Sequence, residues 1–174
     1  MKKLEDYVRN IPDFPEPGII FRDVTSVLQD PEGLQAAIDA VQSLVADVDF
    51  DVVVGPESRG FIFGVPIAYN MRKAFVPVRK KGKLPCETIS REYDLEYGSA
   101  VLEVHKDAIK PGQKVVIIDD LIATGGTMEA IVALVEQLGG KVVKIAFLME
   151  LAGLEGREKL GAYDVASAIC YEGK

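Results

Sequence analysis

The chain has 174 residues, 48% hydrophobic and 27% charged, with a net charge of −7. That composition suits one folded globular domain, and the acidic balance argues against wholesale nucleic-acid binding, which needs a basic surface to displace counterions. No apolar run reaches the roughly 18 residues of a membrane span, and no apolar stretch follows Lys2 and Lys3, so a soluble cytoplasmic protein without a secretory signal is expected. The two cysteines fit no metal-site spacing; Cys86 reads as a free thiol in a polar loop and Cys170, in an apolar run, as a core residue.

Leu4, Tyr7, Val8 and Ile11 recur at helical spacing and predict a short first helix. Pro12, Pro15, Pro17 and Gly18 then force an extended, irregular segment leading to Ile19 and Asp23. Asp30 is a good N-cap with Pro31 at the first helical position, and Leu34, Ala37, Ile38, Val41, Leu44, Val45 and Val48 give the following helix one apolar face. Residues 52–55 read as a buried strand, 60–71 as an apolar helix and 74–78 as a short strand. The polar stretch 79–91 reads as a loop of unusual length, and 95–105 as a strand bent at Gly98. After a turn at Lys110-Pro111-Gly112, the run Val115-Val116-Ile117-Ile118 is the strongest strand, apolar throughout as a strand covered on both faces must be. A helix over 127–138 ends at Gly139-Gly140, and strands follow over 142–148 and 165–170. Alternating strands and helices predict an α/β fold with a parallel sheet and helices on both faces. No repeat or linker interrupts it, so residues 1–174 are expected to form a single domain.

The segment Asp119-Asp120-Leu121-Ile122-Ala123-Thr124-Gly125-Gly126-Thr127 follows the strongest strand. In a parallel sheet, ligands bind beyond the carboxyl ends of the strands. Two acids there can accept hydrogen bonds from neighbouring hydroxyls such as a ribose diol. The Gly-rich turn opening a helix offers free N–H groups and a favourable dipole to a phosphate, with Thr124 and Thr127 as hydroxyl donors. A strand ending in a capping Asp and a turn glycine explains one acid and one glycine, not the whole set. An earlier segment, Gly55-Pro56-Glu57-Ser58-Arg59-Gly60, has P-loop glycine spacing, but Phe61-Ile62 stands where the Lys-Ser/Thr pair belongs.

Residues 115–128 resemble the phosphoribosyl pyrophosphate signature of the type I phosphoribosyltransferases, and Ala123-Thr124-Gly125-Gly126-Thr127-Met128 resembles the adenine-using branch. The similarity continues through Phe14-Pro15, Pro17-Gly18-Ile19-Ile20-Phe21-Arg22-Asp23, Ser58-Arg59-Gly60-Phe61, Lys83-Leu84-Pro85, Leu95-Glu96-Tyr97-Gly98 and residues 155–160. The resemblance implies the type I fold, with residues 1–30 as a small base-binding hood and a flexible lid loop. It implies transfer of 5-phosphoribosyl from its pyrophosphate to N9 of adenine, with Mg²⁺ bound through the donor's oxygens rather than by direct protein ligands, and a homodimer with Arg59 near the interface.

Residue by residue, the resemblance implies that Asp119, Asp120, Ala123, Thr124, Gly125, Gly126 and Thr127 bind the ribose 5-phosphate. Glu57, Ser58 and Arg59 would hold the pyrophosphate, with a cis peptide at Glu57-Ser58, and Lys83 would bind the donor. Cys86 departs from the small residue often found at its position. The basic cluster Arg79, Lys80, Lys81 and Lys83 admits readings as a solvated run or a weak RNA patch, but its place between two strands of an acidic chain favours a lid. Glu96 and Tyr97 match the family's catalytic-loop pair, as proton handler and donor positioner; an exposed Glu and a half-buried strand Tyr is an equal alternative. Ala123 stands where 6-oxopurine enzymes carry an Asp, and Ile20, Phe21 and Arg22 are expected to read adenine. The rivals are a xanthine or guanine enzyme, opposed by Ala123, and a nucleic-acid-binding regulator, opposed by the charge. His105 is expected on the surface.

Overall fold

The computed structural model describes residues 2–95 and 97–173. A seven-stranded sheet forms its centre, in the order β5-β6-β4-β3-β7-β8-β9. Strands β3 (Val52–Pro56), β4 (Ala74–Lys80), β7 (Lys114–Ile122), β8 (Lys141–Leu151) and β9 (Val165–Tyr171) pair in parallel. The hairpin of β5 (Thr88–Asp94) and β6 (Ser99–His105) extends the sheet antiparallel beyond β4. The order reverses at β3: β4 lies to one side and β7 to the other, so a crevice opens between the ends of β3 and β7.

Why β3 and β7 are apolar without alternation is visible in the packing. Val52, Val54, Val115 and Ile117 face one side, against Met128, Ile131, Leu134 and Val135 of helix α4 (Gly126–Gln137). Val53, Val116 and Ile118 face the other, against Ala37 and Val41 of α2 (Pro31–Ser43) and Phe63 and Ile67 of α3 (Arg59–Asn70). Both faces are dry, as a parallel sheet requires. The α2 cap is as the sequence predicts: Asp30 Oδ1 accepts from the backbone N–H of Glu32 at 2.9 Å and of Gly33 at 3.1 Å, with Pro31 beginning the helix.

Several expectations need correction. The first helix is a 3-10 helix over Leu4–Tyr7 only, because the chain turns into strand β1 (Arg9–Pro12), where Ile11 pairs with Phe21 of β2 (Ile20–Asp23). A five-residue helix α1 (Thr25–Gln29) precedes α2. The expected loop over 79–91 is shorter, confined to residues 81–87: β4 runs to Lys80 and β5 begins at Thr88. β5 is an edge strand with Ser90, Arg91, Glu92 and Asp94 exposed, so only Ile89 and Tyr93 reach the core and its period-2 signal is faint. Cys170 is exposed rather than buried, since β9 is the opposite edge of the sheet. His105 is half-buried, with Nε2 2.8 Å from the Pro85 carbonyl oxygen.

Candidate active site

Two clefts adjoin at the carboxyl ends of β3 and β7. The first, about 200 Å³, is lined along residues 119–128, with Arg59 and Phe147 at its sides. The second, about 170 Å³, is lined by residues 56–59, Lys80, Tyr93, Leu102, Asp119, Asp120 and Thr127. Arg59, Asp119, Asp120 and Thr127 belong to both, so the acid pair stands on the divide.

The first cleft is shaped by the Gly-rich turn. Gly125 is the N-cap of α4 with φ +83°, a left-handed conformation that side chains rarely adopt. A Cβ there would lie 2.6 Å from the Gly156 carbonyl oxygen, and a Cβ on Gly156 would collide with the Ala123 carbonyl oxygen. Two glycines thus let the turn press against the 3-10 helix Gly156–Leu160. Past Gly125, the first-turn N–H groups of α4 have no acceptor within the helix, and with the helix dipole they make an anion cradle.

The acid pair is asymmetric. Asp119 Oδ1 accepts the Asp120 backbone N–H at 2.8 Å. Burial, and then the Asp120 carboxylate beside it, push the Asp119 carboxyl well above the ordinary carboxylate range; that backbone N–H and Arg59 pull weakly the other way. The residue as a whole is only half-buried, because its outer edge faces the clefts. Asp120 is 3% exposed, with Oδ2 2.8 Å from Arg59 Nε but off the direction of a hydrogen bond, so this oxygen has an ion-pair partner and no hydrogen bond.

The second cleft is bounded by the turn after β3, where the Glu57-Ser58 peptide is cis, as the family resemblance implies. The Glu57 carboxylate is engaged within the chain. Its Oε1 accepts the Lys80 backbone N–H at 2.7 Å and lies 3.4 Å from Arg79 Nε, and its own N–H donates to the Val78 carbonyl at 2.9 Å. The Glu57 carboxylate therefore fastens the turn to β4, leaving Ser58, Arg59 and backbone groups toward the open space.

Residues 81–87 are tied down at several points. The buried Glu103 carboxylate accepts the Gly82 N–H and, at 2.9 Å, the Thr88 hydroxyl, while the Lys81 N–H donates to the Val101 carbonyl at 3.0 Å. Lys83 lines neither cleft; Lys80 does. The signal for Lys80 was present in the sequence: Val76 and Val78 are the buried positions of β4, and Lys80 continues that period-2 face past the core. Tyr97 is 88% exposed near the hairpin tip, and its proposed partner Glu96 lies outside the described residues. Tyr93, unmarked by sequence reasoning, lines the second cleft instead.

At the amino-terminal end, β1 and β2 form a separate two-stranded sheet. Phe21 packs edge-on to Phe14, with ring centroids 5.3 Å apart. The Arg22 guanidinium stacks 4.0 Å from the centroid of Tyr171, at the carboxyl end of β9, and its Nη1 donates to Asn10 Oδ1 at 2.5 Å. Ile20 is 41% exposed. Asp23, closing β2, is held below its ordinary range mainly by hydrogen bonds from Thr25, and Arg59 adds to the pull. The small sheet therefore sits at the same end of the molecule as the clefts.

Residues 23–171 match the model of the phosphoribosyl transferase domain. The chain is 75% identical over its full length to the adenine phosphoribosyltransferase of Lachnoclostridium phytofermentans, covering 100% of both proteins. It belongs to the adenine phosphoribosyltransferase family. The enzyme of Clostridium novyi is 59% identical over 97% of this chain and 98% of its own. Among solved structures, the adenine phosphoribosyltransferase of Thermoanaerobacter pseudethanolicus superposes with a TM-score of 0.92 at 52% identity, covering 97% of this chain and all of the other. That of Saccharomyces cerevisiae, complexed with an imino-altritol bisphosphate and adenine, superposes at 0.87 with 42% identity, covering 95% and 96%. The fold is the type I phosphoribosyltransferase fold, as the sequence implies.

Proposed function

We propose that this chain transfers the 5-phosphoribosyl group of phosphoribosyl pyrophosphate to N9 of adenine, releasing AMP and pyrophosphate, a purine-salvage reaction. The observation that carries the reading is the pair of adjoining clefts divided by Asp119 and Asp120. A molecule with a phosphate at one end, a pyrophosphate at the other and a diol between them has matching parts: the helix-opening turn, the turn after β3, and the acid pair.

In this reading, Thr124, Gly125, Gly126 and Thr127, with the backbone of Ala123, receive the 5-phosphate. Asp119 and Asp120 accept from the ribose hydroxyls. Ser58, Arg59 and the backbone at Glu57 take the pyrophosphate, joined by Lys80 from β4 and by Lys83 if its segment folds inward. As the bond to pyrophosphate breaks, positive charge grows at the ribose while the leaving group keeps its electrons, so cations at the second cleft and acids at the divide each act where charge develops. Ile20, Phe21 and Arg22 hold the adenine, and Ala123 leaves no carboxylate to select a 6-oxopurine. Glu96 and Tyr97 stay candidates for proton handling and donor positioning. Among the described residues no cluster of three His, Cys, Asp or Glu side chains could hold a metal. Asp119 and Asp120 alone form an incomplete set of hard-oxygen ligands, so Mg²⁺ fits as an ion carried largely by the donor's own oxygens, where it would neutralise pyrophosphate charge.

Residues 1–174 act as one catalytic domain with residues 1–30 as the hood, in a cytoplasmic homodimer. The dimer is supported by Phe61, Val65 and Tyr69, which recur every four residues on α3, with Val65 47% and Tyr69 83% exposed. The deciding experiment is a base panel with donor and Mg²⁺, read out as nucleotide formed. Adenine should react at least tens of times faster than hypoxanthine or guanine, because a buried polar mismatch is expensive. Equal rates would sink the adenine assignment.

A further inference from the structure

We propose that Arg157 is a positioning residue for the 5-phosphate turn, acting through Glu150 and Ser167 to fix Gly156 behind residues 123–125. The inference rests on the phosphoribosyl-transfer reading above.

Glu150 lies near the end of β8, directly opposite Ile122 of β7, the residue before Ala123. It is 6% exposed, a poor place for a carboxylate unless it is paired. Arg157 pairs it in bidentate fashion, Nε to Oε1 at 2.6 Å and Nη2 to Oε2 at 2.7 Å. The Ser167 hydroxyl of β9 donates to the same Oε2 at 2.6 Å, and Arg157 Nη1 donates to the Val165 carbonyl at 2.7 Å. One guanidinium therefore binds β8 and β9 to the 3-10 helix Gly156–Leu160. The residue just before Arg157, Gly156, is the one against which the Gly-rich turn rests.

Stability alone is a weak explanation of this network. Replacing a buried ion pair by well-packed apolar side chains is often neutral or stabilising, and Leu160 already anchors this helix in the core. What the fork-shaped pair supplies is direction: two parallel N–H to oxygen bonds fix the angle at which the helix leaves β8. The angle matters here because no atoms are spare between Gly156 and Ala123. A shift of Gly156 would reopen or crowd the turn that receives the phosphate, and would leave in place the turn after β3 and the end of β4, which form the far side of the second cleft.

The test uses Arg157→Lys, which keeps the charge and loses the fork, and Glu150→Gln, which keeps the shape and loses the charge. Wild type forming AMP from donor and adenine is the control, since its failure would end the functional reading before the clamp is judged. Ribose 5-phosphate and pyrophosphate serve as separate inhibitors. We expect KM for the donor and Ki for ribose 5-phosphate to rise about tenfold or more, as small misplacements of a binding group do, with Ki for pyrophosphate and KM for adenine within twofold of wild type. General structural damage would raise all four together, and that result overturns the proposal, as would unchanged ribose 5-phosphate inhibition in both variants. If either variant fails to fold, Ser167→Ala is measured in its place, with a smaller rise in the same two constants expected and no rise counting against the clamp.

Discussion

Asp119→Asn should make the empty protein more stable and the enzyme worse. The Asp119 carboxyl is pushed up by burial and by Asp120, so the folded state holds its proton more tightly than the unfolded chain does. For such a group the folded state's advantage is complete below the ordinary carboxylate range and is lost as pH rises through the raised value. Wild type should therefore lose stability across that window, and the variant, with nothing to titrate there, should not. An Asn oxygen can still accept the Asp120 backbone N–H, so the local shape survives. Function moves the opposite way: one charged acceptor for the ribose diol is gone, a loss of about 1.5–3 kcal/mol. At roughly 1.4 kcal/mol per decade, kcat/KM for the donor should fall roughly 10- to 150-fold. The assays are melting curves of both proteins from acid to mildly alkaline pH, and initial rates at limiting donor. A melting-temperature difference that does not grow with pH refutes the electrostatic argument; undiminished kcat/KM refutes the diol assignment.

Hydrogen exchange should find the amides of Thr88–Asp94 that point at β6 slow before any donor is added, because the strand is paired with β6 along its length. Residues 81–87, exposed apart from Leu84, should slow when donor and Mg²⁺ are added; slow exchange there that donor leaves unchanged would remove Lys83 from the donor site. Tyr69→Glu should halve the mass seen by light scattering at micromolar concentration, since it puts a charge in the exposed stripe of α3, and a wild-type monomer with full activity would overturn the dimer.

What the sequence made legible follows from where its signals are strong. Val115 to Ile118 had to be a doubly covered strand, and so the acids after it had to stand toward the carboxyl end of the sheet, where the crevice opens. The Asp30-Pro31 cap marked a helix start to the residue. The Gly-rich turn that opens α4 was readable as a turn, but the left-handed conformation of Gly125 and its contact with Gly156 were not. The hairpin was not, because β5 gains its structure from pairing with β6 rather than from its own composition, and pairing is a long-range fact. Ile11 misled for the same reason: its helical spacing was real, but pairing with Phe21 outweighed it. Gly156 gave no signal of its place, since it touches a turn more than thirty positions earlier in the chain, and Arg157 gave none of its pairing with Glu150 of β8.

The acidic balance of the chain and the polyanionic donor proposed for it are compatible, for a reason that limits how net charge should be used. At physiological ionic strength exposed charges are screened beyond about 8 Å. A long nucleic acid samples the summed charge of a face and would meet a chain with net charge −7. A small donor in a cleft samples only its lining. Around the second cleft that lining includes Arg59 and Lys80, and the mouth of the first is the positive end of α4. The two acids on the divide would repel a bare phosphate. On the proposed reading their presence would therefore work as a filter: the first cleft would favour a ligand whose phosphate is joined to a diol, which can give hydrogen bonds to Asp119 and Asp120, over one that brings negative charge alone.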